Sequence, residues 1–89
     1  MENAKYVCID TLEGGGAVLI FPAFITHADF CQRYFGDKWY DNNKACREVL
    51  LSAGFVAQIG GDWKCIGQSS SLDLKSRPED TNLLCRMLR

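Results

Sequence analysis

His27, the single histidine of this 89-residue chain, stands four residues before Cys31. On a helix, that i, i+4 spacing puts an imidazole and a thiol on one face, the geometry of two metal ligands or of a nucleophile beside its base. A structural zinc site would need two more ligands, and these would have to come from distant cysteines. A Cys31 nucleophile activated by His27 would need a third group to orient the ring, and no such group is evident. The five cysteines, Cys8, Cys31, Cys46, Cys65 and Cys85, are spaced by 23, 15, 19 and 20 residues and include no close pair. An odd, scattered set of this kind reads as reduced thiols that pack as small hydrophobes. The expectation is a protein without catalytic residues, metal or cofactor; a metal-binding or catalytic module using His27 and the cysteines is the weaker alternative.

A second group with chemical potential lies in "SSSLDLKSRPED". Its serines and two basic residues come just before the exposed N–H groups of an expected helix, a combination that can form an anion-binding corner. Ser70, Ser71, Lys75 and Arg77 would meet a phosphate, a carboxylate or an acidic partner surface there. Most of the stretch is nonetheless explained by helix physics. Ser76 reads as the N-cap, Arg77 and Pro78 fall in the first turn, and Glu79 completes an S-x-x-E capping box. Glu79 and Asp80 place negative charge at the positive end of the helix dipole, while Arg86 and Arg89 sit at its other end. Leu83, Leu84, Met87 and Leu88 then supply the buried stripe. A third candidate is the pair Trp39 and Tyr40, aromatics in the polar stretch "GDKWYDNN"; such residue types are enriched at binding hot spots.

The elements that must position these groups follow from pattern. "KYVCIDT" and "AVLIFP" read as strands joined by the glycine turn of "LEGGG", a hairpin. The triple glycine leads into a strand rather than into Gly-Lys-Ser/Thr and a helix, so it is not a phosphate loop. Ala17 to Phe21 is apolar at every position, which predicts a central strand covered on both faces. Pro22 ends it, and "ITHADFCQRYF" predicts a short helix capped by Thr26, with Asp29 in its first turn and Phe30 and Tyr34 on one stripe. "NKACREVLLSAG" predicts a second helix, with Cys46, Val49, Leu50 and Ala53 as its apolar face and Gly54 as its stop. "FVAQI", "GGD" and "WKCIG" repeat the hairpin logic, and Leu72 and Leu74 alternate as a brief extended segment would. The order is ββααββα: an α+β fold in which two antiparallel hairpins form a roughly four-stranded sheet with three short helices, one domain over residues 1–89.

Composition narrows the partners. Hydrophobic residues make up 47% and charged residues 24% of the chain, the balance of a folding globule rather than a disordered one. Ten basic and eleven acidic residues are interspersed, for a net charge of −1. Without a basic stripe the chain lacks the usual footprint of a duplex binder, and its dispersed acids do not imitate DNA either. No apolar run reaches the roughly 20 residues of a membrane span, and "MENAKYVCID" has neither a basic flank nor a hydrophobic signal segment, so a cytosolic location is expected. At this length a pocket of about 300 Å³ or more usually needs a dimer interface. A homodimer through an unpaired strand edge stays open.

"VLIFPAFITHADF", "SAGFV" and "GQSSSLDLKSRPEDTNLLCRML" together cover about half of the chain. In these pieces the chain resembles a loosely defined group of short proteins encoded by tailed bacteriophages and prophages, in which "S-L-x-L-x-SRPED" precedes a C-terminal helix; that last motif is the specific one. The group carries no established activity, so the resemblance implies provenance: an accessory protein in the cytoplasm of a bacterial host. "GDKWYDNNKACREVLL" departs from the pattern and could be a specialised surface. The expected function is a non-enzymatic module that binds a host or phage protein, for example to inhibit a host defence or host enzyme complex. A nucleic-acid-associated role is the alternative that the charge pattern disfavours.

Overall fold

In the computed structural model, which describes residues 2–11, 13–36 and 44–88, the chain runs β1 (Glu2–Ile9), β2 (Ala17–Phe21), α1 (His27–Phe35), α2 (Lys44–Val49), β3 (Leu50–Ile59), β4 (Asp62–Ile66), β5 (Gln68–Ser69), β6 (Leu74–Lys75) and α3 (Pro78–Met87). The class is α+β, and the expected order holds with one addition, the short β5–β6 pair before α3. β1 to β4 form an antiparallel sheet in the order β2-β1-β3-β4, so the two hairpins join through β1 and β3. Gly60 and Gly61, at φ 60° and 90°, link the paired residues Ile59 and Asp62. Two successive positive φ angles make the two-residue turn whose twist matches that of the strands.

Side-chain alternation along β1 builds a core on each face of the sheet. Tyr6 and Cys8 pack with Val18, Val56, Cys65 and Leu84 under α3. Val7 turns the other way, into a cluster with Phe21, Cys31, Leu50, Ala53 and Leu72, against which Ala28, Phe30 and Phe35 of α1 also pack. Three layers result, and consecutive residues Tyr6, Val7 and Cys8 are all buried because both faces of β1 are covered. α1 begins as its sequence predicts: the Asp29 N–H donates to Thr26 Oγ1 at 3.0 Å, which satisfies one of the free donors of the first turn.

Four expectations need correction. Of the buried stripe expected on α3, Leu84 is buried and Leu83 half-buried, but Met87 and Leu88 are 48% and 51% exposed, because they lie past the last turn that packs on the sheet. β2 is an edge strand and not a central one; its apolar run reflects helices over both faces, which is a different condition from pairing along both edges. The second helix ends at Val49, and Leu50 to Ala53 belong to β3. Antiparallel pairing with β1, through Leu50, Ser52 and Ala53, outweighs the helical periodicity of six or so residues, as tertiary context commonly does. Gly54 therefore stops no helix. It lies inside β3, where a Cβ would come within 2.4 Å of the Ile66 carbonyl oxygen, so its role is to admit a close backbone approach. Finally, α3 is capped at Arg77, with Pro78 at N1 and Asp80, not Glu79, at N3. Proline favours N1, and that preference moves the whole box one residue along.

Candidate functional site

The first turn of α3 carries a buried carboxylate. Asp80 stands one helical turn before Leu84, and both side chains are fully buried against the sheet. The Tyr6 hydroxyl, reaching from β1, donates to Asp80 Oδ2 at 2.5 Å, and the Arg77 backbone N–H donates to the same oxygen at 2.9 Å. Arg77 Nε and Nη2 donate to Oδ1 at 3.0 and 2.9 Å, a bidentate pairing of guanidinium and carboxylate. Burial opposes ionisation of Asp80, but the Ser52 and Tyr6 hydroxyls and the N–H groups of Arg77 outweigh it and hold the carboxyl below its ordinary range. The Ser52 hydroxyl, buried beside them, makes no hydrogen bond of good geometry among the described residues, so its share is that of a nearby dipole.

The same charge acts on its neighbours. Burial first, and then the bond and charge of Asp80, push the Tyr6 phenol far above its ordinary value. Burial and Asp80 raise the Cys8 thiol against the opposing pull of Arg77, whose Nη2 lies 3.5 Å from Cys8 Sγ. Burial pushes the Cys65 thiol up to about 12, with Asp80 adding to it. These thiols are protonated at neutral pH, which removes the nucleophilic form. Burial works against the charge of Arg77, but Asp80 more than compensates and raises its pKa. The arrangement fastens the start of α3 to the centre of the sheet.

The anion corner is thereby divided. Ser70, Lys75 and Arg77 line one open groove of about 780 Å³ between the β5–β6 pair and the start of α3. Arg77 turns its guanidinium inward to Asp80, so the anion at this helix N-terminus is the protein's own carboxylate. Ser71 faces α1 instead: its Oγ accepts from the Ala28 N–H at 3.2 Å and lies 3.4 Å from Ser69 Oγ. Ser70 and Lys75 are left exposed at the rim. Asp73 and Glu79 line the groove as well, together with half-buried Leu51 and Leu74, so its lining is mixed in charge and in polarity. Trp39, Tyr40 and Arg89 lie outside the described residues.

His27 and Cys31 do share the inward face of α1, and both are buried. A carbonyl oxygen can only accept, so the 2.8 Å contact between His27 Nε2 and the Gly54 oxygen places the proton on Nε2. The rings of Phe21 and Phe55 meet the imidazole edge-on at 5.4 and 5.7 Å. Burial and the charge of Lys5 lower the pKa of His27 despite the Gly54 bond, and burial raises the Cys31 thiol to about 11. Among the described residues no group of three or more His, Cys, Asp or Glu side chains could hold a metal ion. His27 thus joins α1 to β3 as a neutral donor.

Two features escape the sequence reading: the burial of Asp80 and its partnership with Tyr6, 74 positions away. The period of α3 holds a signal for the first, since position 80 shares a face with Leu83 and Leu84. Nothing local marks Tyr6. Comparison with known protein families, curated proteins and solved structures finds no match for this chain.

Proposed function

We propose that this chain is a small phage-encoded accessory protein that works as a non-enzymatic protein-binding module in the bacterial host cytoplasm, with a host defence or host enzyme complex as the partner it would inhibit. The observation that carries this reading is the open groove between β5–β6 and α3. Its lining combines half-buried Leu51 and Leu74 with exposed charges of both signs, Lys75 against Asp73 and Glu79, while Arg77 is committed to Asp80. A polypeptide surface of mixed polarity complements such a lining better than a phosphate backbone, which would call for an excess of basic side chains. The chemistry-bearing groups also support it, because His27, Cys8, Cys31 and Cys65 are buried in packing and their shifted pKa values disfavour the charged forms.

The test is affinity capture from bacterial lysate with the wild-type chain and with Lys75→Glu, Ser70→Arg and Trp39→Ala. Lys75 and Ser70 are exposed at the groove, so their substitution leaves the Asp80 cluster in place. Arg77→Glu would instead put a second carboxylate beside Asp80 and confuse lost binding with lost folding. A protein captured in stoichiometric amount by the wild type and lost with Lys75→Glu, but kept with Lys64→Glu on β4, is the expected result. Recovery of the same proteins with every variant would reject the groove as the binding surface.

A further inference from the structure

The two edges of the sheet are not alike. β4 is closed by α3: the Cys65 N–H, which points away from β3, donates to Thr81 Oγ1 at 3.0 Å, and Cys85 Sγ lies 4.0 Å from the Trp63 carbonyl oxygen. Asp62 and Lys64 add exposed charges there, and an inserted charge is a common guard against edge pairing. β2 has neither protection. Its sequence, Ala-Val-Leu-Ile-Phe, holds no charge and no proline. Among the described residues its backbone bonds only to β1. Ile20 is 40% exposed on one face, and the chain leaving the strand carries Phe24 at 87%.

From this contrast we infer that β2 is the docking edge for a second copy of this chain, which pairs antiparallel through its own β2 to continue the sheet across a two-fold axis at Leu19. The pairing is self-complementary. Ala17 meets the second copy's Phe21, Val18 meets its Ile20, and Leu19 meets its counterpart, with directly opposite side chains on the same face of the sheet. Val18 and Ile20 are β-branched, which suits cross-strand contact. The same operation on β4 would set Lys64 against Lys64, and like charges directly opposite are destabilising. A head-to-tail pairing of β2 with β4 is blocked by α3, so the contact closes as a dimer and does not propagate as a filament. The groove proposed to bind a partner lies at β5–β6, so the two readings stand or fall separately.

Light scattering over a wide range of concentration should show the mass rising from that of the 10.0 kDa chain toward twice that value. Amide exchange at low and high concentration should slow within residues 17–21 and stay unchanged within residues 62–66. Ile20→Lys, checked for native far-ultraviolet dichroism, should remain monomeric where the wild type is dimeric. A wild-type mass that stays at one chain overturns the inference, as does a dimer that persists in folded Ile20→Lys or that protects residues 62–66 instead. Should Ile20→Lys fail to fold, the exchange map of the wild type decides alone.

Discussion

Asp80 has no exposed surface, and both of its oxygens are occupied by donors from Tyr6 and Arg77. Removing a donor therefore exposes the cost of the buried charge and not merely the loss of a contact. Arg77→Ala should destabilise the fold by about 3–5 kcal/mol, the range for leaving a buried charge uncompensated. Tyr6→Phe keeps the ring in the core and deletes one bond to a charged acceptor, so about 1.5–3 kcal/mol is expected. Urea unfolding of the two variants checks both values, and an Arg77→Ala loss below that of Tyr6→Phe would contradict the geometry. Acid should act in two stages. His27, whose folded pKa is lowered by burial, resists a proton that the unfolded chain accepts, so stability is complete above its ordinary value of 6.5 and falls as pH drops below it. Asp80, held below its ordinary 3.8, adds a second loss as pH falls from there through its depressed folded value. His27→Gln, which retains an N–H for the Gly54 oxygen, should abolish the first stage and leave the second when urea midpoints are followed from neutral pH downward. The sequence marks His27 and Cys31 by their spacing. It marks Arg77 only as an exposed cation, because the carboxylate that turns it inward becomes buried through a tyrosine at the other end of the chain.

At the scale of elements, Gly54 shows how one residue can be misread and still be decisive. After the apolar face of α2 it resembles a helix stop, yet it lies in the middle of β3 with the Ile66 carbonyl against the position of its missing Cβ. Gly54→Ala should cost about 2–3 kcal/mol by overpacking, and thermal unfolding against Gly14→Ala makes the comparison. Gly14 has open space around it but a positive φ, so it reports backbone strain without a clash. Equal losses in the two variants would mean that the approach to Ile66 carries no weight. The elements that were legible have local causes: the glycine hairpins, the Thr26 cap of α1, and the β-branched and aromatic run of β1. Those that were not have distant ones. β3 begins at Leu50, five residues before the expected Phe55, because β1 pairs with it from there on, and β2 reads as central because packing reaches both of its faces. The α3 cap moved from Ser76 to Arg77 by competition between neighbours, where the N1 preference of Pro78 and the reach of the Asp80 carboxylate prevail over a matching S-x-x-E pattern.

For the molecule as a whole, the sheet separates two cores, and cysteines serve as filler in both. Cys8 and Cys65 lie on the α3 side, and Cys31 lies on the α1 side. Thiols so distributed turn the protein into a reporter of its own cooperativity, since each becomes reactive only when its layer opens. Cys85 is half-buried, whereas Cys8, Cys31, Cys46 and Cys65 are at most 7% exposed. A thiol reagent at neutral pH should accordingly modify one cysteine quickly and the other four slowly, and Cys85→Ser should remove the fast phase. If the layers open together, the four slow thiols share a single rate that rises with urea in step with global unfolding. If α1 and α2 can leave the sheet while α3 remains fastened by Asp80, Cys31 and Cys46 will react before Cys8 and Cys65. The second order follows from the kind of bond. α3 is held by the carboxylate of Asp80, buried and bonded to Arg77 and Tyr6. The bonds on α1 and α2 that reach other elements include the His27 and Ser71 contacts and the 2.9 Å bond from Arg47 Nη2 to the Leu72 oxygen, each to a neutral acceptor or donor. Mass spectrometry of the partly modified protein distinguishes the two cases, and modification of Cys8 ahead of Cys31 would show that the Asp80 cluster is not the last part of the fold to yield.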